Sequence, residues 1–400
     1  MNSPTCFEPR IGTRKLSLQL PQTVSELRVS GVPTDQPIAD LVAKTLDDPI
    51  EFPPLALALI DDDHIAIAIE DGVPEANAIA CEVTRYLVQH GTRQEMITIV
   101  LGSDNQDWRD RLMELLSVQE LGDVKVVKHE PAHHDSHGYI AASASADPIY
   151  IQRDLVEAEV VLPIYCIRTP NSPSASDKYG MSPSFADATT QHRWNLAWLD
   201  DNTHHLHLQE KLSHEIGWLM GVQFAIAVVP ACDGSVAAIL GGSPDPVFQR
   251  ASELIRPMDS LGSQEMTEHG IAVVFVEGDW TQQSWMNVAR AAAHADMQLD
   301  ANGSIVICTD LKHMSDGILQ LGSDESEEKL QRQLLGSDLE DAFAAAVLSS
   351  IKSKRSIYLM SQLKSNQVES LGFAYIDSPL DIERLCRESS SVCVMRSGQF

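Results

Sequence analysis

The sequence has no pattern of paired cysteines. Its seven cysteines (Cys6, Cys81, Cys166, Cys232, Cys308, Cys386 and Cys393) stand singly, with an odd total and no CxxC. That excludes a disulfide scaffold and points to reduced thiols in a cytoplasmic setting. Basic residues are also scarce, 29 Lys and Arg against 57 Asp and Glu, for a formal charge of −28. So acidic a surface repels phosphate backbones and anionic headgroups, and neither nucleic acid nor membrane is expected as a partner. Long hydrophobic runs are missing: stretches such as 224–229 are far too short to cross a bilayer, and MNSPTCFEPRIGTRK contains no apolar signal segment. No GxxxxGK[ST], GxGxxG, GxSxG or HExxH is present, so a nucleotide P-loop, a dinucleotide fingerprint, a hydrolase elbow and a zincin helix all lack support.

What remains is a globular chain of 400 residues, 44% apolar, which exceeds what one core usually serves and implies two domains. From His64 onward, apolar runs of strand length alternate with polar turns and helix-period segments: 65–69, 97–101, 124–127, 149–151 and 160–165 read as strands. Residues 75–90 and 108–116 read as helices, and 224–229 with 236–240 as a hairpin closed by Asp233-Gly234. A proline-punctuated helix at 247–255 precedes a second series: strands at 271–276, 305–308, 357–360, 373–376 and 392–395, with helices between them. The expected fold is α/β, with two α/β domains, mainly parallel doubly wound sheets and a cleft between them. The expected extents are 1–245 for a catalytic domain, 246–268 for a connecting helix, 269–378 for a second α/β domain and 379–400 for a terminal helix and strand.

The stretch 159–195 organises the reading. It opens with an apolar run suited to a strand buried on both faces and continues into a polar loop carrying Arg168, Asp177 and Lys178. Four loops at strand carboxyl ends would converge in a parallel arrangement: Glu70-Asp71, Ser103-Asp104-Asn105, 168–178 and Glu277-Gly278-Asp279-Trp280. Each also suits an ordinary capped turn. Histidines cluster at His129, His133, His134 and His137, again at His204, His205 and His207, and at His214. Such clusters can bind borderline metals, though surface groups of this kind usually serve no such purpose; His192, inside the organising stretch, stands apart.

The order of these elements resembles the nickel-dependent lactate racemase family. Thr45-Leu46-Asp47-Asp48-Pro49-Ile50 is similar to the family's early Leu-Asp-x-Pro-Ile segment, and the strand 65–69 with Asp71 and Pro74 to its strand, Asp and proline turn. Lys211-Leu212-Ser213-His214-Glu215, followed by the hairpin and Gly241-Gly242, resembles the block that closes the family's first domain. The resemblance implies an isomerase that racemises or epimerises a small 2-hydroxy acid, with a nickel-pincer pyridinium mononucleotide tethered to a lysine and a histidine on the nickel. On that resemblance Lys178 is the tether and His192 the nickel ligand, while Asp71, Asn287, Arg290 and Trp280 face cofactor and substrate. The two catalytic histidine positions fall on Asp104 and at Arg168, where aspartate can act as a base and arginine can only clamp a carboxylate. This implies a substrate other than lactate, or a homologue that binds a small carboxylate or metal without turnover; a homodimer is compatible with either.

Overall fold

The computed structural model describes residues 5–20, 24–28, 31–60, 62–103, 105–143, 146–169, 172–175, 177–199, 203–255 and 269–400, with backbone alone at 28, 197 and 203–210. Two six-stranded sheets form its framework. The first runs in the order Val236–Gly242, Ala225–Pro230, Val160–Cys166, Ile65–Ile69, Ile97–Leu101, Lys125–Lys128. All its pairings are parallel except the hairpin at one edge. Ile65–Ile69 is buried at every residue, because helices cover both faces, and this is why its sequence is continuously apolar rather than alternating.

The second sheet runs Ala374–Tyr375, Ser356–Met360, Leu299–Cys308, His269–Phe275, Val392–Arg396, Val24–Arg28, and every pairing is parallel. Residues 1–245 were expected in one domain, yet Val24–Arg28 hydrogen-bonds alongside Val392–Arg396 in this second sheet. The strands Thr5–Phe7 and Leu18–Leu20 pair with each other, and Phe7, Leu18 and Leu20 pack on the second sheet's core. The short amino-terminal runs carry no periodicity that could have revealed this non-local partner. Phe400 is the counterpart at the other end of the chain, buried in the first core.

Two further differences concern the centre of the sequence. Pro148–Gln152 is a strand, as expected, but it pairs with His137–Ala142 in a separate hairpin outside the main sheet. The polar stretch after Cys166 gives way to the helix Ala188–Leu199, followed by Thr203–Leu219. Their mixed composition hid the helical period. The expected connecting helix is present as Pro244–Leu254, with proline in its first turn; 256–268 lie outside the described residues.

Candidate functional site

Each sheet has one point at which successive connections leave in opposite directions, and in such sheets ligands bind beyond the strand ends at that point. In the first sheet it lies between Ile65–Ile69 and Val160–Cys166, so the loops that begin at Glu70 and Ile167 flank it. In the second it lies between His269–Phe275 and Val392–Arg396. The first of these points abuts the helix Trp285–Asp296 of the second unit.

Glu70 and Arg168 fill that point. Arg168 Nη1 donates to Glu70 Oε1 at 2.8 Å, and the Cys166 amide donates to Glu70 Oε2 at 3.0 Å. Both side chains are essentially inaccessible, at 0% and 2%. Burial pulls Arg168 down, but Glu70 more than offsets this and the guanidinium ends above its ordinary value. Arg168 Nη2 also donates to the Asp71 carbonyl at 3.1 Å, while its Nε has no acceptor.

Arg290 approaches from the second unit. Its Nη1 donates to Asn287 Oδ1 at 2.8 Å, and its Nε and Nη2 donate to the carbonyls of Pro173 and Ser174 at 3.1 and 3.4 Å. Among the described residues no carboxylate is hydrogen-bonded to it. Burial and the neighbouring Arg168 lower it to about 9. Gly72, at φ +78°, passes between the two guanidiniums: a Cβ there would lie 3.1 Å from Arg168 Nη2 and 3.2 Å from Arg290 Nη1. Asp71 is half-buried, and burial raises its carboxyl even though Arg290 and Arg168 pull it back. Beside this cluster, Thr169 Oγ1 donates to His294 Nε2 at 3.1 Å while His294 Nδ1 donates to the Gly398 carbonyl at 2.8 Å, another bond between the two units.

A cleft of about 1250 Å³ opens next to these groups, lined by both units. Asp71, Ser103, Asn105 and His192 face it from the first unit and Trp280, Ser284 and Lys312 from the second. Two helices begin at its wall: Asn105 caps Gln106–Val118 by accepting from the Trp108 amide, and Ser284 caps Trp285–Asp296 by accepting from that of Asn287. Arg111 lies over the Trp280 ring, 4.2 Å from its centroid, and Trp280 packs on the first core.

Of the expected site residues, Asp71, His192 and Trp280 line the cleft. Asn287 and Arg290 sit just behind it. Arg168 is beside Arg290 but closed on Glu70, which the sequence places in another of the converging loops without pairing the two. Lys178 does not line the cleft; its Nζ is 2.5 Å from Asp245 Oδ1 on the helix Pro244–Leu254. Asp104 lies outside the described residues. His192 is lowered by burial and has an unpartnered Nδ1, so a neutral ring is available as a donor.

The other histidines divide. His129 is held by Gln152 and the Ala186 carbonyl and lowered to about 4 by burial. His214 meets the Tyr179 hydroxyl at 3.2 Å, and the side chains of His204, His205 and His207 lie outside the described set. Among the described residues no group of three or more His, Cys, Asp or Glu could hold a metal, and no helix is long and apolar enough to cross a membrane.

Residues 11–169 match the family model of the lactate racemase N-terminal domain. Over that stretch the chain is similar to the lactate racemase N-terminal domain. Its structure is similar to that of the lactate racemase apoprotein from Thermoanaerobacterium thermosaccharolyticum, with a TM-score of 0.73 over 98% of each chain at 14% identity. It is also similar to a Thermotoga maritima protein, with a TM-score of 0.65 over 92% of this chain and 98% of that one at 13% identity. No curated protein matches the sequence. At these identities the structural likeness speaks for the fold alone, and the chain keeps that fold with an arginine pair at its first switch point.

Proposed function

We propose that this lactate racemase-like chain is an isomerase acting on a small 2-hydroxy acid other than lactate, bound in the cleft between its two units. The reading rests on the Arg168–Arg290 pair. Arg290 is buried next to a second guanidinium with only neutral hydrogen-bond acceptors, and Glu70 and Asp71 offset its burial only in part, so a substrate carboxylate arriving past Asp71 would complete its counter-charge. Asp71, on the cleft wall with its carboxyl raised by burial, is placed to hold or move a proton at the substrate hydroxyl.

The lactate racemase resemblance brings with it a nickel-pincer nucleotide, which supplies hydride acceptance when bound. His192 suits a nickel donor. Lys178, turned to Asp245, does not suit a tether in this arrangement, and no step of the chemistry is derived through the group. Two contacts favour a second reading, in which the cleft binds a hydroxy acid without turnover: Lys178 with Asp245, and Arg168 with Glu70.

The deciding experiment is intact mass and nickel content of protein co-expressed with cofactor-making enzymes, wild type against Lys178→Ala, followed by chiral analysis of hydroxy acids incubated with each. Interconversion of enantiomers or epimers by the wild type is the expected result; an added mass with nickel, lost in the variant, would restore Lys178 as the tether. Unmodified protein that binds a hydroxy acid by calorimetry and converts none would replace the first reading with the second.

A further inference from the structure

A second concave surface lies on the far side of the wall that bounds the cleft. It is a groove of about 440 Å³ along the outermost strand of the first sheet, Lys125–Lys128, completed by Arg109, Glu130, Ser136, Gln152, Arg153 and Asp154. Four of its ten lining residues are cationic and two anionic, in a chain whose acids outnumber its bases 57 to 29. With Asp110 and Glu157 behind the two arginines and Glu130 3.5 Å from Lys128, cations and acids balance locally, so the groove is neutral ground on an acidic surface, and at physiological salt the field of distant acids is screened within about 8 Å.

The two arginines are held in place without being neutralised at hydrogen-bond length. Arg109 Nε donates to the Val126 carbonyl at 3.1 Å, and its Nη1 is 3.7 Å from Asp110. Arg153 Nη2 donates to the His137 carbonyl at 3.1 Å, and its Nη1 is 3.9 Å from Glu157. Each guanidinium thus spends one N–H on a main-chain oxygen that fixes its plane. The remaining N–H groups are pre-organised for an oxyanion, the geometry at which arginine exceeds lysine. Lys125 reaches Asp154 at 2.5 Å but stays 61% exposed, so an incoming anion can share it.

We propose that this groove binds a compact, multiply charged phosphate, such as the diphosphate portion of a small phosphorylated metabolite. Its floor connects to the candidate active site: Lys128 and Glu130 line both the groove and the cleft, and Gln152, in the groove, is hydrogen-bonded to His129, in the cleft, at 3.1 Å. The site requires neither nickel nor a hydroxy acid and is independent of the function proposed above.

The test uses inorganic pyrophosphate and isothermal titration of the full chain at 50 and 300 mM NaCl (about 14 and 6 Å screening lengths). Saturable binding is expected at low salt, weaker at high salt. It should fall at least tenfold in Arg109→Gln/Arg153→Gln, and remain within about twofold of wild type in the cleft variant Arg111→Gln. Thermal melting of each variant checks that the fold is intact, and Lys125→Gln, which removes one largely exposed charge together with its pair to Asp154, provides a second reading should the double variant melt early. No binding to wild type at low salt, unchanged binding in the groove variants, or loss confined to Arg111→Gln would each overturn the proposal.

Discussion

The two sheets end in the same device put to different ends. In the first, Glu70 follows the central strand, takes the amide of the neighbouring strand at Cys166 and pairs with Arg168. In the second, Glu277 follows the corresponding strand, takes the Ser397 amide and is gripped by Arg396 at 2.8 and 2.6 Å. Both glutamates staple two parallel strands at the switch point. The second is sealed by the chain itself: Gln399 donates to the Glu277 carbonyl, and beside it the Gly12 amide donates to the Gly278 carbonyl and the Gly278 amide to that of Arg10. Gly234 leaves no space there either, since a Cβ on it would lie 2.3 Å from the Gly278 nitrogen. The first staple instead borders Asp71, Gly72 and Arg290, and opens toward the cleft. A switch point becomes a site only where the loops that follow it leave room, and among the described residues the first pair does.

The largest expected difference between the staples is in stability. Glu70→Ala strands Arg168 with no access to water and should cost about 3–5 kcal/mol in urea unfolding. Glu277→Ala leaves Arg396, at 22% exposure, free to turn toward solvent, and should cost about 1–3 kcal/mol. Equal costs would mean that the two staples are equivalent and that burial of the arginine is not what separates them.

Next comes pH. Each half of the molecule has a carboxyl raised by burial, Glu277 in the second and, in the first, Asp177, which reaches about 7 while accepting amides from Tyr179 and Met181 and the Ser213 hydroxyl. An aspartate whose folded value lies above its unfolded one binds its proton more tightly when folded. Its contribution is therefore fully present below about 4 and lost as pH rises toward about 7. Asp177→Asn should flatten the stability profile across that window by up to about 3 kcal/mol, an upper bound because Asp177 keeps some contact with solvent. An unchanged slope would assign the pH dependence elsewhere.

Ligand affinity sharpens the contrast further. Arg290→Gln should weaken hydroxy acid binding by about 2 kcal/mol, roughly thirtyfold, whereas Arg396→Gln should leave it unchanged. Calorimetry with a panel of hydroxy acids distinguishes the two. Smallest is the contact at the cleft mouth: Arg111→Ala removes a guanidinium from the face of Trp280 and should cost no more than about 1 kcal/mol in thermal unfolding.

Much of the fold was legible because its signals are local. The strand Ile65–Ile69 and the Asp233-Gly234 hairpin each announce themselves within a few residues, by unbroken burial and by turn chemistry. The candidate site was legible only as a set of loops. That Glu70 would neutralise Arg168, that Lys178 would face Asp245, and that Arg290 would come to rest against the Pro173 carbonyl depend on side-chain directions fixed by neighbours 98, 67 and 117 residues away.

The sequence by itself determined the class of architecture, since apolar runs of strand length followed by helix-period segments can bury their faces only in layered α/β sheets. It also determined which strand-end loops carry polar groups. Tertiary structure alone decided that residues 24–28 would complete the second sheet and that Phe400 would enter the first core, because neither segment carries a pattern that names its partner. It likewise decided which arginine is paired and which is left facing another, for charge in a protein interior takes its meaning from whatever the fold places within a few ångströms of it.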